Sequence, residues 1–404
     1  MSMTQQICLP KLTMWTIKVP VRIAKRISQF QARTLVINVD QMFDSKVYKL
    51  HLLEDGPSHT SELTKGDALR FYQQMDEIRK VENSIAQLYR EKKIRGFCHL
   101  YVGQEAVAVG INSIMKPEDT VITSYRCHGW AVLKCESVAS VIAELIGNKS
   151  GASRGKGGSM HIYGPQFFGG NGIVGSHVPL GVGIGLKHRY LDNKAISVTL
   201  YGDGAANQGQ VFEAFNLAKL LNIPVLFVVE NNQYGLGTAC SRSSANNEYY
   251  RQSSFLPGIR ASGMDILSVI EAAKYCFKHI QDGKGPIILE MMTYRYFGHS
   301  MSDPGTSYRD RSEIQEVREK KDCIHHLKQL ILDSNLAKED EIKAIENENK
   351  EKVAKATEEA IKGSPPSLEE LTADHYAVWS EKVRIPRMLE WVPYKTIAHN
   401  KPPK

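Results

Sequence analysis

Two stretches of the sequence decide the fold, Leu200-Tyr-Gly-Asp-Gly-Ala-Ala-Asn-Gln-Gly209 and Val229-Glu-Asn-Asn-Gln-Tyr-Gly235. Each follows an apolar, strand-like run, and a helical pattern lies between them. This order of strand, helix and strand predicts one parallel crossover unit. Because such a unit brings the carboxyl ends of both strands to one edge of the sheet, we expect Asp203 and Asn232 to lie close together.

The residues at this edge have the chemistry of a metal and phosphate site. A carboxylate and a carboxamide oxygen, joined by a main-chain carbonyl, form a hard-oxygen ligand set that suits magnesium. Gly202 and Gly204 let the backbone come close to phosphate groups, and the next helix starts with N–H groups that can bind them. The spacing therefore predicts a site for magnesium and a diphosphate. A glycine turn next to an ordinary strand terminus is the alternative interpretation.

Similar patterns continue on both sides of this unit. Strand-like runs lie at residues 120–123, 195–201, 224–229 and 286–291. Helical patterns lie at residues 66–94, 104–115, 212–221 and 267–280. This alternation predicts an α/β fold, a parallel sheet with helices on both faces. Two charged helical patterns, at residues 311–332 and 338–361, predict a C-terminal helical extension.

Glycines are concentrated in two other places. The segment at residues 147–175 is dense in glycine, which suggests that its backbone comes close to a ligand or another chain. Gly181, Gly183 and Gly185 do not open a helix directly after a strand. They therefore indicate helix packing rather than a dinucleotide-binding site.

Composition limits the class of protein. The chain has 404 residues, 42% of them hydrophobic and 24% charged, which is typical of a globular protein and excludes a disordered chain. Its apolar runs are far shorter than the ~20 residues of a membrane-spanning helix. The seven cysteines include no Cys-x-x-Cys pair. No zinc ribbon or redox dithiol is therefore predicted, and a reducing compartment is favoured.

The net charge of +7 comes almost wholly from the N-terminus. No acidic residue precedes Asp40, whereas six basic residues do: Lys11, Lys18, Arg22, Lys25, Arg26 and Arg33. This asymmetry predicts that residues 1–39 are a transit peptide, and we expect the mitochondrial matrix as the destination. A basic partner-binding arm is the alternative. The remaining residues carry 45 Lys and Arg against 44 Asp and Glu, so the charge gives no support to nucleic-acid binding.

From about Asp55 to Leu368, the chain resembles the alpha subunits of the thiamine diphosphate-dependent 2-oxo acid dehydrogenases, and among them the mitochondrial pyruvate dehydrogenases. The motifs that carry the resemblance are Arg95-Gly-Phe-Cys-His-Leu100, Gly103-Gln-Glu-Ala106, Ser124-Tyr-Arg126, Gly155-Lys-Gly-Gly-Ser-Met-His161, Gly169-Gly-Asn-Gly-Ile-Val-Gly175, Gly202-Asp-Gly-Ala-Ala-Asn-Gln-Gly209 and Gly298-His-Ser-Met-Ser-Asp-Pro-Gly305. The resemblance implies a thiamine diphosphate-binding α/β domain at residues 61–362. An arm at residues 40–60 would precede this domain, and a tail at residues 363–404 would follow it.

The resemblance also implies roles for individual residues. Magnesium is expected on the side chains of Asp203 and Asn232 and on the main-chain oxygen of Tyr234. The residues expected to bind thiamine diphosphate are His99, Tyr125, Arg126, Gly164, Gly172, Val174, Asp203, Gly204, Ala205, Asn232 and His299. Of these, His99 and His299 are expected to be the catalytic residues beside the reacting carbon.

The implied activity is oxidative decarboxylation of pyruvate, with reductive acetylation of a lipoyl group on the dihydrolipoyl acetyltransferase core of a complex. In this family, the glutamate that contacts the pyrimidine ring of the cofactor comes from a beta subunit. No matching segment occurs in this chain, which implies an α2β2 heterotetramer. The alternatives are a branched-chain 2-oxo acid or acetoin dehydrogenase subunit, and a non-catalytic regulatory paralogue.

The loop at residues 294–309 resembles the regulatory loop of the family. Ser300 and Ser307 stand at two phosphorylation positions, and Ala239 stands at the third, where it cannot be phosphorylated. The resemblance therefore implies a regulatory kinase and a phosphatase as partners. The residues that depart from the family pattern are Phe297, in place of a histidine, and Cys127, in place of an alanine.

Overall fold

The computed structural model describes residues 41–44, 47–368, 370, 386–387 and 390–391. The predicted transit peptide, residues 1–39, and most of the predicted tail, residues 363–404, lie outside the described residues. Within the described ranges, no helix combines the length and the apolar character needed to cross a membrane.

The described chain alternates between strands and helices over most of its length. The strands are β1 (Gln41–Asp44), β2 (Lys49–His51), β3 (Thr60–Leu63), β4 (Thr120–Ile122), β5 (Ser197–Gly202), β6 (Val225–Asn231), β7 (Tyr234–Gly235), β8 (Thr238–Ala239), β9 (Gly258–Ser262), β10 (Ile287–Met292), β11 (Pro386–Arg387) and β12 (Glu390–Trp391). The helices are α1 (Lys65–Arg90), α2 (Glu105–Asn112), α3 (His128–Lys134), α4 (Val138–Ile146), α5 (His177–Leu191), α6 (Gly209–Leu220), α7 (Cys240–Ser243), α8 (Ile266–Gln281), α9 (Arg311–Lys321), α10 (Cys323–Asp333) and α11 (Glu339–Ile361).

Six strands form the central sheet, in the order β2-β9-β10-β6-β5-β4. Five strands are parallel to one another: β9, β10, β6, β5 and β4. The sixth strand, β2, lies at one edge and pairs antiparallel with β9. The predicted α/β fold with a parallel sheet is confirmed. The sequence does not predict the antiparallel edge strand, because three residues are too few for an alternating pattern.

Helices cover both faces of the sheet because buried residues alternate along each strand. On β6, Leu226 and Val228 belong to the larger core, whereas Phe227 and Val229 belong to the smaller one. The larger core includes residues of α1, α2, α8, α10 and α11. The smaller core includes residues of α5 and α6. The central strands are therefore buried on both sides, as their apolar runs indicate.

The predicted crossover consists of β5, α6 and β6. The two strands are parallel neighbours, with Gly202 opposite Glu230, so Asp203 and Asn232 follow their strands at the same edge. Helix α5 packs on β5 through Gly181, where a Cβ atom would lie 2.0 Å from Thr199 Oγ1. This contact agrees with the interpretation of that glycine as a helix-packing residue.

The C-terminal extension differs from its prediction at Asp322. The pattern predicts one helix over residues 311–332, but α9 and α10 are separate helices with Asp322 between them. Its Oδ1 accepts hydrogen bonds from the N–H groups of Ile324 and His325, at 3.1 and 3.0 Å. Asp322 thus caps α10, and a 3.0 Å ion pair with Arg79 holds it against α1.

Candidate active site

Three neighbouring strands, β5, β6 and β10, end at the same edge of the sheet. A cavity of about 470 Å³ lies beyond these ends, at the position where parallel α/β sheets bind ligands. Most of the predicted site residues line it: Tyr125, Arg126, Val174, Asp203, Gly204, Ala205, Asn232, Tyr234 and His299. The fold therefore brings together residues from five separate parts of the sequence.

Asp203 follows β5 directly and is almost fully buried. Its Oδ2 accepts a hydrogen bond of 3.2 Å from the Cys240 thiol. Burial raises the pKa of the Asp203 carboxyl, although the Cys240 hydrogen bond and the charge of Arg295 act in the opposite direction. Because a buried carboxylate is costly without a cation beside it, Asp203 is well suited to bind a metal.

Asn232 and Tyr234 present oxygen atoms to the same region. Asn232 Oδ1 accepts a hydrogen bond from the Tyr234 N–H at 3.4 Å, and another from the Arg295 guanidinium at 3.4 Å. The same guanidinium donates to the main-chain oxygens of Tyr234 and Leu236. The oxygen atoms predicted to bind magnesium therefore already face a positive charge.

Magnesium fits this donor set on chemical grounds. Asp203 offers a carboxylate, Asn232 a carboxamide oxygen and Tyr234 a main-chain oxygen. Magnesium is commonly bound by one or two carboxylates together with phosphate and water oxygens. No group of three or more His, Cys, Asp or Glu side chains suited to a metal occurs among the described residues. A cation here therefore needs further oxygen ligands, which a diphosphate can provide.

Arg126 is a buried cation that contacts main-chain oxygens. Its guanidinium donates to the Leu100 oxygen at 2.6 Å and to the His299 oxygen at 2.9 Å. Burial, followed by the charge of Arg295, lowers the pKa of Arg126 to about 10, which leaves it charged at neutral pH. Neither arginine forms an ion pair with an acidic residue in the described part of the chain. The cavity is therefore lined by two guanidinium groups that can attract an anion.

His99, Tyr125 and His299 form a cluster of rings beside the cavity. The ring centroids are 4.4 Å apart for His99 and Tyr125, 5.1 Å for His99 and His299, and 5.6 Å for Tyr125 and His299. Burial, followed by the charge of Arg126, lowers the pKa of His99 to about 2 and that of His299 to about 4. Both imidazoles are therefore neutral at physiological pH. Nδ1 of each is buried without a hydrogen-bond partner among the described residues, which leaves both atoms available to a ligand.

Three predicted cofactor residues do not line the cavity: His99, which lies beside it in the ring cluster, Gly164 and Gly172. Gly164 pairs with Phe167, and a Cβ atom on it would lie 3.0 Å from the main-chain oxygen of Lys134. Gly172 lies beside His161. The cofactor contacts expected of both glycines stay predictions, and the structure gives Gly164 a packing role.

The glycine-dense segment surrounds a carboxylate of the chain itself. Glu144 is fully buried on α4 and accepts hydrogen bonds from four backbone N–H groups. The donors are Ser153, Gly155, Gly157 and Gly158, at 2.8, 2.8, 2.7 and 3.2 Å. These glycines therefore serve an internal anion rather than an external ligand.

The loop at residues 294–309 is held by one of its own acids. Asp303 accepts hydrogen bonds from the His299 N–H at 2.6 Å, the Tyr308 hydroxyl at 2.5 Å and the Gly305 N–H at 2.8 Å. Burial alone would raise the pKa of Asp303, but these hydrogen bonds outweigh it and hold the pKa below its ordinary value. The loop is therefore ordered around an ionised carboxylate that also fixes the backbone of His299.

The two serines of the loop differ in exposure. Ser300 is buried, and its Oγ lies 2.9 Å from Ser302 Oγ, whereas Ser307 is exposed. Phe297 packs against the larger core, and its main-chain oxygen accepts a 2.7 Å hydrogen bond from Arg309. Phe297 therefore supports the loop through packing and backbone contacts that need no titratable ring.

The polar residues that line the cavity include Gln104, Glu230 and Arg295, which are not predicted as site residues from the sequence. Glu230 is buried near the end of β6 and accepts a hydrogen bond from Tyr101. Burial raises the pKa of Glu230 to about 7. The sequence offers a signal for Glu230 and Arg295, since each lies at or just beyond the carboxyl end of a predicted strand, where α/β sheets bind ligands. Gln104 has no such signal.

Known proteins resemble the chain over most of its length. The family described as Dehydrogenase E1 component matches residues 73–369. The chain is 54% identical over 334 residues to the probable pyruvate dehydrogenase E1 component subunit alpha, mitochondrial, of Caenorhabditis elegans, which covers 83% of this chain and 84% of the relative. It is 50% identical over 339 residues to the pyruvate dehydrogenase E1 component subunit alpha type II, mitochondrial, of Ascaris suum. This alignment covers 84% of this chain and 87% of the relative. It is 47% identical over 361 residues to the pyruvate dehydrogenase E1 component subunit alpha, somatic form, mitochondrial, of Homo sapiens. This alignment covers 89% of this chain and 92% of the relative.

Acidic pH should destabilise the protein partly through His299. The folded-state pKa of about 4 lies below the ordinary value of 6.5, so the unfolded chain binds more protons between these values. The free energy of unfolding therefore falls as the pH is lowered through this window. In the His299→Gln variant, we expect the acid-induced loss of unfolding free energy to be smaller by roughly 1–2 kcal/mol. This value includes a discount for the partial exposure of the ring.

Urea-induced unfolding across this pH window measures the effect. His325→Gln, at an exposed position on α10, is the control and should follow the unsubstituted protein. An equal loss of stability with and without His299 would show that this ring does not resist protonation in the folded state.

Proposed function

The chain belongs to the dehydrogenase E1 component family, and from this membership we propose that it is the alpha subunit of the decarboxylating component of a pyruvate dehydrogenase complex in the mitochondrial matrix. Its activity is oxidative decarboxylation of pyruvate with reductive acetylation of a lipoyl group, which gives acetyl-CoA and carbon dioxide in the whole complex. The observation that carries the proposal is the presence of Asp203, Asn232 and the buried Arg126 in one cavity. The relatives compared above are named for pyruvate dehydrogenase.

The family depends on thiamine diphosphate. When bound, this cofactor supplies a carbon nucleophile and an electron sink for decarboxylation of a 2-oxo acid. In our proposal, the side chains of Asp203 and Asn232 and the main-chain oxygen of Tyr234 bind magnesium. Arg126 and Tyr125 bind the diphosphate, because a guanidinium fork and a phenol are strong donors to phosphate oxygens.

Backbone groups complete the proposed cofactor site. Ala205 begins a short 3-10 helical turn after β5, and the N–H groups of Gly204 and Ala205 can approach the phosphates. Gly204 packs closely on Gly235, since a Cβ atom on Gly204 would lie 3.1 Å from the Gly235 Cα. A larger residue would therefore separate the two metal-binding loops. Gly172 and Val174 are proposed to meet the pyrimidine ring with main-chain groups.

His99 and His299 are the proposed catalytic residues. A neutral imidazole can donate one hydrogen bond and accept another. The two rings can therefore orient the carbonyl oxygen of pyruvate, or move a proton at that oxygen, without adding charge to the site. The Arg126 hydrogen bond to the main-chain oxygen of His299 means that the cation proposed to bind diphosphate also positions a catalytic ring.

A beta subunit is proposed to complete the site in an α2β2 heterotetramer. Near the cavity, Ile173, Leu236 and Phe97 are 70%, 60% and 63% exposed. Other large apolar side chains are exposed on α5 and α6: Leu180, Leu186, Tyr190, Leu191, Phe212, Leu217 and Leu220. Exposed apolar groups in such numbers favour a protein partner. The lipoyl-bearing dihydrolipoyl acetyltransferase core is the second proposed partner, because it accepts the acetyl group.

A kinase and a phosphatase are proposed to act on Ser300 and Ser307. A phosphate group adds about −1.5 to −2 charges and three oxygen atoms. Ser300 has no room for such a group, because it is buried and its Oγ lies 2.9 Å from Ser302 Oγ. Phosphorylation of Ser300 would therefore displace the loop, and His299 with it. The exposed Ser307 can carry a phosphate with less disturbance.

Co-expression with a beta subunit of the family tests the proposed function. The heterotetramer, supplied with thiamine diphosphate and magnesium, should decarboxylate pyruvate in preference to branched-chain 2-oxo acids. Asp203→Ala and Arg126→Met should each lower kcat/KM by about 100-fold or more, because each removes a charge that stabilises the bound anion or cation. Asp340→Ala, at an exposed position of α11, is the matched control. Assembly without pyruvate turnover would contradict the proposal, and full turnover by the chain alone would contradict the shared site.

Phosphoserine incorporated at position 300 should disorder the loop at residues 294–309. We expect faster hydrogen–deuterium exchange of this loop and loss of pyruvate decarboxylation, since the phosphate cannot share the space of Ser302. Phosphoserine at position 307 should produce a smaller change in exchange. Unchanged protection of the loop with phosphoserine at position 300 would rule out this switch.

A further inference from the structure

We propose that Gln104 is a positioning residue for the metal site, because it determines which end of the Asn232 side chain faces the cation. This inference rests on the proposed function, in which Asn232 Oδ1 binds magnesium. Gln104 is 1% exposed and lines the same cavity as Asp203 and Asn232.

Asn232 has an orientation problem that Asp203 does not have. The oxygen and the NH2 group of a carboxamide are similar in size and differ in polarity. A carboxamide turned by 180° would present NH2 to a cation and repel it. Both oxygens of a carboxylate are acceptors, so Asp203 can bind a cation in either orientation. A carboxamide ligand therefore needs a partner that fixes its orientation.

Gln104 is that partner. Asn232 Nδ2 donates a hydrogen bond of 3.0 Å to Gln104 Oε1. The Oδ1 atom of Asn232 consequently faces the Tyr234 N–H and the Arg295 guanidinium, each at 3.4 Å. Oδ1 is therefore held on the side of Tyr234, whose main-chain oxygen is the neighbouring proposed ligand. The contact with Asn232 is the hydrogen bond that Gln104 Oε1 accepts from a side chain.

The backbone of Gln104 is held firmly. Its N–H donates to the Tyr101 oxygen at 3.0 Å, and the Gly103 N–H donates to Glu105 Oε2 at 2.9 Å. Glu105 in turn receives both ends of the Arg79 guanidinium. The Gly103 oxygen accepts a 3.1 Å hydrogen bond from the Thr293 hydroxyl, just after β10.

Gly103 is required by this arrangement. It has a φ of +101°, and a Cβ atom on it would lie 2.2 Å from the main-chain oxygen of Tyr294. The turn that carries Gln104 therefore packs directly on the chain that leaves β10. A support this rigid can transmit its position to Asn232, as residues behind metal ligands commonly do.

Manganese binding to the α2β2 heterotetramer with thiamine diphosphate tests the proposal, since EPR measures free Mn²⁺ without any turnover. Gln104→Met keeps the length of the side chain but removes the acceptor, and it should weaken Mn²⁺ binding by about 10- to 100-fold. Gln104→Glu keeps an acceptor for Asn232 Nδ2, and its Mn²⁺ affinity should stay within about threefold of the unsubstituted protein.

The Asn232→Asp variant distinguishes loss of side-chain orientation from a general disruption of the site. In Asn232→Asp the ligand has two equivalent oxygens and needs no orienting partner, so adding Gln104→Met should weaken Mn²⁺ binding by less than about threefold. Equal weakening in both backgrounds, or no weakening by Gln104→Met alone, would overturn the proposal. If the unsubstituted heterotetramer bound no Mn²⁺, the proposed metal site would fail, and this inference with it.

Discussion

The buried charges at the ends of β5 and β6 are the constraint on which the cavity and the loops around it depend. The Asp203 carboxylate and the guanidinium groups of Arg126 and Arg295 are buried around one cavity, and no ion pair joins them within the described residues. Buried charges of this kind cost several kcal/mol each unless a counter-charge is present. A divalent cation beside Asp203 and a diphosphate beside Arg126 would satisfy both requirements at once. The site is therefore matched to a metal and an anion that bind together.

The same two arginines also hold the loops around the cavity. Arg126 joins the main chain at Leu100 to that at His299. Arg295 joins the turn after β6 to the hydroxyl of Tyr308, at 2.9 Å. A ligand bound to these arginines would therefore be coupled to the order of the loop at residues 294–309, because the same side chains would serve both. The proposed phosphorylation of Ser300 would act on this coupling.

Local patterns predict those parts of the molecule that depend on neighbouring residues. The β5, α6 and β6 unit follows from its apolar runs, and the topology alone brings Asp203 and Asn232 to one edge. Asp322 interrupts the helical pattern by capping α10, and its ion pair with Arg79, 243 residues away, cannot be predicted from the local pattern. The role proposed for Gln104 depends on a contact with Asn232 across 128 residues. The ring cluster of His99, Tyr125 and His299 combines separate loops, so no local pattern predicts it, and only the family resemblance identifies those residues.

The most direct test of the charge balance is a crystal structure of the heterotetramer with thiamine diphosphate and Mn²⁺, with the metal located by anomalous scattering. The manganese peak should lie among Asp203, Asn232 Oδ1 and the main-chain oxygen of Tyr234, with the diphosphate against Arg126. A peak at any other place in the alpha subunit, or a diphosphate remote from Arg126, would contradict the proposed site.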